Sequence, residues 1–214
     1  MRAVLTLQTF LALLAAAAPA RAQYLQIDSF EVTPFVGTRF GGTFEVRPDS
    51  PSQVEATLKD ASSYGLAAGV RFEKFSLIEF RWTRSITTLR FDPPFVPVGE
   101  RIGDLTLDEF HADFTREFAI PEVKGLRSFL TGSVGATHIA TADDGFTRFS
   151  FGLGAGLKQF VGSHLAIRAE AKWLPIWINP EVGSFACGGA GCLVVLTGPL
   201  TEQFELSIGP VVRF

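Results

Sequence analysis

Hydrophobic and polar residues alternate with a period of two through most of the chain. Between residues 30 and 46 the even positions are mostly apolar, whereas the odd positions carry charged residues, threonine and glycine. Successive side chains of a β-strand point to opposite faces, so the pattern predicts a strand with one apolar and one polar face. The same division recurs and predicts eight strands, at residues 30–46, 63–73, 75–88, 104–118, 125–139, 146–160, 164–176 and 201–214.

The predicted strands are long, and their connections alternate in length. Every strand has more than ten residues, and about 9–11 residues suffice to cross a bilayer at a tilt. Long connections at 47–62, 89–103 and 177–200 alternate with tight ones such as 73–75 and 161–163. Short periplasmic turns and long outer loops are typical of outer-membrane barrels. We therefore predict an all-β fold, an eight-stranded antiparallel up-and-down transmembrane β-barrel with both chain ends on the periplasmic side.

Alternation alone also fits a soluble, lipocalin-like barrel with an apolar lumen. Here the polar face is rich in glycine, which leaves space for charged neighbours in a narrow cylinder, and it carries nine basic and nine acidic residues. Inward charges can offset their desolvation by pairing, so we expect this face to line the lumen. The predicted lumen charge network comprises Arg39, Arg71, Glu79, Arg81, Glu109, His111, Asp113, Arg127, Arg148, Arg168, Glu170 and Glu205. The other charged residues of this face are Glu31, Glu45, Glu73, Glu117, Lys158, Lys172 and Arg213.

The apolar face is expected to contact lipid. Its aromatic residues cluster towards the strand ends, as in the two aromatic girdles of membrane barrels. They are Phe30, Phe72, Phe118, Phe160 and Phe214 at one end, and Phe44, Tyr64, Trp82 and Trp173 at the other. Three charged residues interrupt this face, namely Arg84, Asp108 and Arg116. Each lies near a predicted strand end, from which its side chain can reach the membrane interface.

The beginning of the chain has the pattern of a secretory signal peptide. Arg2 supplies a positive charge, and the stretch 4–18 is largely apolar. Ala20 and Ala22 form a small-x-small cleavage site, so Gln23 is the predicted first residue of the mature protein. We therefore expect residues 1–22 to be a cleaved signal peptide and residues 23–214 to form the barrel domain.

Both cysteines of the chain lie in one glycine-rich motif, Cys-Gly-Gly-Ala-Gly-Cys, as Cys187 and Cys192. A zinc site needs about four ligands, and the motif holds no histidine, aspartate or glutamate. An exported protein meets an oxidising compartment, which favours a local disulfide between the two.

The sequence resembles the small OmpA/OmpX-type family of outer-membrane barrels. The resemblance lies in Val-Thr-Pro-Phe-Val-Gly at 32–37, Phe-Gly-Leu-Gly-Ala-Gly at 151–156, Arg-Ala-Glu-Ala at 168–171 and Val-Arg-Phe at 212–214. It covers about residues 30–214, and we expect no appended peptidoglycan-binding domain, because the sequence stops at Phe214. The terminal phenylalanine, with apolar residues at alternate positions before it, looks like the signal read by the barrel-assembly machinery. That signal comprises Phe204, Leu206, Ile208, Val212 and Phe214.

His111 is the strongest candidate for catalysis, because it lies between Glu109 and Asp113 on the polar face. A His–carboxylate pair is found in barrel lipases. Such an enzyme also needs a nucleophilic serine near the lipid, and no serine flanks His111 in its strand. We therefore interpret His111 as a member of the interior polar network and predict that the protein is not an enzyme.

Two prolines stand at matching places in the first and last predicted strands. They are Pro34 and Pro210. These two strands pair in a closed eight-stranded barrel, and a proline supplies no N–H to a ladder. We predict a locally weakened seam near the periplasmic end.

The preferred function is that of a plugged barrel in the bacterial outer membrane, because eight strands leave an interior just filled by side chains. Its role would be structural or one of surface interaction and adhesion through the outer loops. A narrow pore for small solutes is the alternative, and a lipid-modifying enzyme is a third. The expected partners are the lipid bilayer, the barrel-assembly machinery during biogenesis and an unknown extracellular ligand. A net charge of −3 gives no indication of a nucleic-acid partner, and we expect no cofactor.

Overall fold

The computed structural model of the chain describes residues 27–47, 54–91, 101–141, 145–177, 184–187, 192–197 and 200–214. Within these ranges no helix is long and apolar enough to cross a membrane. The described strands are β1 (Ser29–Phe40), β2 (Thr43–Arg47), β3 (Val54–Leu58), β4 (Ala61–Glu73), β5 (Ser76–Phe91), β6 (Arg101–Ala119), β7 (Leu126–Ala140), β8 (Gly145–Phe160), β9 (Leu165–Trp177), β10 (Ser184–Cys187), β11 (Cys192–Thr197) and β12 (Leu200–Arg213).

Eight long strands close into an antiparallel barrel. Their order is β1–β4–β5–β6–β7–β8–β9–β12, and the pairing of β12 with β1 closes the cylinder. The predicted eight-stranded all-β barrel is therefore confirmed. Seven of the predicted strands agree with the observed bounds to within three residues at each end, because each carries the period-two pattern over its whole length.

The first predicted strand, at 30–46, is wrong in its length. It ends at Phe40, and a bend at Gly41 and Gly42 separates β1 from β2. These glycines have φ values of 81° and 107°, a region that residues with a Cβ rarely adopt. The alternation continues through the bend, and for this reason the pattern did not predict it.

Two segments predicted only as connections contain further strands. The connection 47–62 contains β3, and the connection 177–200 contains β10 and β11. The short strands continue the wall from the end of β5 in the order β5–β3–β2–β11–β10. We call this the loop end of the barrel. The opposite end, with the tight turns and the C-terminus, is the turn end.

The cysteine motif lies in the β10–β11 hairpin. The backbone register places Cys187 directly opposite Cys192. The side chains of this hairpin are outside the described part of the structure, and a disulfide between the two residues stays a prediction.

The polar face of the barrel strands lines the lumen, and the apolar face forms the outer surface. Burial alternates along most of β12, where Gln203 and Glu205 are 1 % exposed and Leu206 is 49 % exposed. Phe30, Phe118 and Phe214 are exposed at the turn end, and Tyr64 is exposed nearer the loop end. The side chain of Phe44 is not among those described. The molecule is thus polar inside and apolar outside, the reverse of a soluble protein.

The three charged residues that interrupt the apolar face, Arg84, Asp108 and Arg116, have ion-pair partners. Arg84 donates two hydrogen bonds of 2.8 Å to the carboxylate of Asp108, which also accepts the indole N–H of Trp82 at 3.2 Å. At the turn end, Arg116 pairs with Glu73 over 3.0 Å. Pairing lowers the cost of carrying these charges on an apolar surface.

Strands β1 and β12 join the two ends of the chain, and their hydrogen-bonded positions can be assigned. Phe30 donates its N–H to the Phe214 carbonyl over 3.2 Å, and Phe214 donates to Phe30 over 2.9 Å. Such doubly bonded pairs recur at every second residue of an antiparallel ladder. The register of the two strands therefore brings Pro34 opposite Pro210, at a position that would otherwise make two hydrogen bonds.

The prolines interrupt this seam. Pairing resumes on either side, at Val32 with Val212 and at Val36 with Ile208, and is missing at positions 33–35 of β1. Gly209 lies against the interruption, where an added Cβ would come within 2.1 Å of the Pro34 carbonyl oxygen. Glycine therefore allows the two strands to approach closely although a hydrogen-bonded pair is missing.

We expect amide hydrogens beside this interruption to exchange faster than those of the β7–β8 ladder. The expected difference is roughly five- to tenfold, because about 1 kcal/mol of local stability is lost with a missing hydrogen bond. NMR measurements of hydrogen exchange, on protein refolded in micelles, determine this difference in rate at the amides of Val36 and Ile208. Pro210→Ala restores a donor and should slow the exchange. Equal protection of the two ladders in the unmodified protein would contradict the prediction.

Candidate functional site: the charge-filled lumen

The turn end of the lumen holds six charged residues, which we call the turn-end cluster: Glu31, Arg71, Glu117, Arg127, Lys158 and Arg213. Glu31 accepts hydrogen bonds from Arg71 at 2.7 Å, Lys158 at 2.8 Å and Arg213 at 2.7 Å. Glu117 accepts from Arg71 at 2.7 Å, Lys158 at 2.6 Å and Arg127 at 2.7 Å. Six strands, β1, β4, β6, β7, β8 and β12, each supply one of these residues. The cluster therefore connects six strands of the barrel wall across its axis.

The middle of the lumen holds a second group, the central cluster, in which three cations meet three carboxylates: Glu79, Arg81, Asp113, Arg168, Glu170 and Lys172. Asp113 accepts from Arg81 at 2.9 Å and from Lys172 at 2.7 Å. Arg81 and Arg168 share Glu170, and Arg168 also binds both oxygens of Glu79 at 2.7 and 2.9 Å. Charges in such a network are compensated locally, which offsets their desolvation.

Above the central cluster lies a smaller polar layer. Arg39 donates to Glu109 at 2.8 Å and to Glu205 at 2.9 Å. On the far wall, Nε2 of His111 lies 2.8 Å from the hydroxyl of Ser150, which also accepts a hydrogen bond from Thr137. No serine flanks His111 in its own strand, but β8 supplies one from across the wall, so the absence of a flanking serine did not exclude a serine beside His111.

Two phenylalanines point into the lumen among the charges. The Arg81 guanidinium lies 4.6 Å from the ring centre of Phe35, and the Arg168 guanidinium lies 4.6 Å from that of Phe129. Cation–π contacts of this kind hold the flat guanidinium groups in place. Phe35 packs over Gly65 and Phe129 over Gly156, where a Cβ would come within 2.5 Å of either ring. Lumen glycines thus make room for aromatic rings as well as for charges.

Towards the loop end, the lumen filling changes from charged to apolar. Six aliphatic side chains from four strands, which we call the apolar layer, are at most 4 % exposed: Leu58, Leu105, Leu107, Ile139, Leu174 and Ile176. Between this layer and Arg39 lies a cavity of about 10 Å³, and a second cavity of about 10 Å³ lies beside Arg81 and Arg168. Each has room for about one water molecule.

The structure brings ten of the predicted network residues together as buried lumen groups: Arg39, Arg71, Glu79, Arg81, Glu109, His111, Asp113, Arg168, Glu170 and Glu205. Arg127 is half-buried at the turn end, and Arg148 is half-buried near the loop end, where its guanidinium lies 4.4 Å from the Phe146 ring centre. Glu73, counted on the polar face, lies instead on the outer surface, and the side chain of Glu45 is not described.

Sequence reasoning left five members of the two clusters out of the predicted network, namely Glu31, Glu117, Lys158, Lys172 and Arg213, although it assigned them to the correct face. It missed the apolar layer altogether. A signal existed, because Leu105 and Leu107 have the same parity as Glu109. In the described part of the chain, no group of histidine, cysteine or acidic side chains is arranged to hold a metal ion.

Solved structures of similar architecture match nearly the whole barrel. OprG, an outer membrane protein from Pseudomonas aeruginosa, has a TM-score of 0.59 at 11% identity and covers 88% of this chain and 97% of its own. Neisserial surface protein A has a TM-score of 0.54 at 15% identity, covering 86% and 97%. The chain has the fold of the small outer-membrane β-barrels. AlkL, an outer membrane protein solved in lipid bilayers, has a TM-score of 0.57 at 10% identity, covering 92% and 94%.

No protein-family model matches the sequence, and no curated protein does. The likeness to these outer-membrane barrels therefore concerns the fold, which implies contact with the outer-membrane lipid bilayer. In barrels of this class the short turns face the periplasm and the long loops face outwards. We therefore propose that the turn-end cluster lies at the periplasmic mouth and the apolar layer near the cell surface.

Glu170→Gln should strongly destabilise the barrel, because Arg81 and Arg168 would lose a charged partner inside the lumen. Removing one member of a buried pair costs about 3–5 kcal/mol. Glu73→Gln is the matched control, because it breaks an exposed pair worth about 0–1 kcal/mol. Urea unfolding of vesicle-inserted protein, followed by tryptophan fluorescence, compares the two. Similar unfolding midpoints for both variants would contradict this assignment of the central cluster.

Proposed function

We propose that the protein is a sealed outer-membrane barrel that carries its outer loops at the cell surface for a structural, surface-interaction or adhesion role. The observation that carries the proposal is the filled lumen. Three charged or polar layers and the apolar layer follow one another along the axis, and each consists of side chains that are mostly less than 5 % exposed. A solute would have to separate buried ion pairs to pass, and breaking such pairs is costly.

The short strands at the loop end support a role for the outer surface. The β2–β3 and β10–β11 hairpins come from opposite ends of the chain and pair with each other through β2 and β11. A shared sheet orders both hairpins relative to the barrel. Loops on a rigid scaffold are a common place for binding residues.

We do not propose an enzymatic activity for this barrel. The His111–Ser150 pair has the spacing of a base and a nucleophile. Both side chains are at most 1 % exposed, and both lie inside the cylinder beneath the apolar layer. A lipid substrate outside the wall has no path to them in this arrangement.

We also propose how the chain is exported and assembled into the membrane. Residues 1–22 would direct the chain to the membrane and be removed there, and residues 23–214 would form the barrel domain. The alternate apolar side chains of β12, ending at Phe214, would be read by the barrel-assembly machinery. Of these, Phe204, Leu206 and Ile208 are each more than 40 % exposed on the outer surface of the barrel.

Planar-bilayer recording tests the sealed lumen. We expect no stepwise current from the refolded barrel, because the charged clusters and the apolar layer leave no continuous passage. Heat-modifiable gel mobility of the same sample is the control for correct folding. Discrete, reproducible current steps from folded protein would instead support the narrow pore.

Adherence of expressing cells tests the role of the loop end. We expect cells to lose binding to immobilised matrix proteins or glycans when the β2–β3 and β10–β11 hairpins are replaced by short turns. Shortening the β7–β8 connection at 141–144 is the matched control and should leave adherence unchanged. Unaltered adherence of the hairpin variant, with the barrel still folded and inserted, would count against a surface-interaction role.

A further inference from the structure

The turn-end cluster carries more positive than negative charge. Its four cations share two carboxylates, Glu31 and Glu117. The central cluster, by contrast, balances three cations with three carboxylates. An excess of two positive charges is therefore a property of the periplasmic mouth and not of the lumen as a whole.

The other charged groups at this end do not cancel the excess of positive charge. The exposed side chains around the turns balance one another, with Lys74, Arg116 and Lys124 as cations and Asp28, Glu73 and Glu122 as anions. The terminal carboxylate of Phe214 adds one negative charge, and an oxygen of this residue accepts the N–H of Phe30 at 3.2 Å. The mouth remains positive.

Two of the four cations are accessible to solvent and use only some of their N–H groups in hydrogen bonds. The side chains of Arg127 and Arg213 are 21 % and 19 % exposed, whereas those of Arg71 and Lys158 are 1 % exposed. Arg127 bonds to Glu117 through Nη1, and Arg213 bonds to Glu31 through Nε and Nη2. Among the described residues, nothing accepts a hydrogen bond from Nε or Nη2 of Arg127 or from Nη1 of Arg213.

One aromatic ring positions both arginines. The guanidinium carbon of Arg127 lies 4.8 Å from the ring centre of Phe160, and that of Arg213 lies 4.4 Å from it. The two groups are therefore no more than about 9 Å apart. Arg127 also lies 5.4 Å from the ring centre of Phe75. Stacking and the ion pairs hold the two guanidinium groups in place before any ligand arrives, which reduces the entropy lost on binding.

We propose that Arg127 and Arg213 form an anion-binding site at the periplasmic mouth, for a small ligand that carries phosphate. Guanidinium groups recognise such oxyanions through paired N–H donors. Free phosphate esters of the periplasm and lipid headgroups of the inner leaflet share this chemistry. The site is independent of the proposed function, which concerns the opposite end of the barrel.

A phosphate titration followed by NMR tests the site on the full mature chain. The protein is refolded in a detergent with a sugar headgroup, which contains no phosphate, and sodium phosphate is added at constant ionic strength. We expect saturable shifts of the backbone amide signals of residues 127 and 213, which can be followed in the variants as well, with a dissociation constant of about 1 mM or lower. Adding phosphatidylglycerol to the micelles should compete with phosphate if lipid headgroups are the ligand, and leave its binding unchanged if the ligand is soluble.

Two variants separate a built site from general attraction to positive charge. Arg127→Lys combined with Arg213→Lys keeps both charges but removes the guanidinium forks, and should weaken phosphate binding at least about tenfold. Arg116→Gln removes an exposed arginine of the same end and should leave the affinity unchanged. Shifts that grow linearly without saturation, or equal weakening by both changes, would mean an adventitious ion only and would overturn the proposal.

Discussion

A backbone inside a bilayer has no water to bond with, so every strand edge must find a partner within the protein. Eight strands meet this demand by closing into a cylinder, and a cylinder of this size has an interior that side chains fill. The charged residues of the inner face are thereby forced against one another. The ion-pair clusters are in this sense a consequence of closure, since an unpaired charge in so narrow a lumen would be far more costly.

The filling of the lumen is graded along its axis. The turn end is positive, the central cluster is neutral, and aliphatic side chains close the space near the loop end. The interruption of the wall between Pro34 and Pro210 occurs where pairs on both sides keep the strands in register.

Most of the fold could be predicted from the sequence, because one apolar face and one polar face impose a period of two on each strand. The same alternation gave the direction of most charged side chains, including Arg39, Glu109 and Glu170, but not that of Glu73, which lies on the outer surface. Alternation could not predict which charged side chains form ion pairs with one another. Arg39 and Glu109 are 70 residues apart and meet only across the lumen, and alternation specifies the face of a residue but not its height along the axis.

The sequence by itself therefore determined that the chain forms a two-faced, closed sheet with its charges inside. Only the tertiary structure decided which charges meet, that Ser150 reaches His111 and that two distant hairpins share one sheet. The physical reason is that these contacts depend on the stagger between neighbouring strands and on the bend at Gly41 and Gly42. Both are set by the closure of the whole barrel, and neither changes the period-two pattern of hydrophobic and polar residues within a single strand.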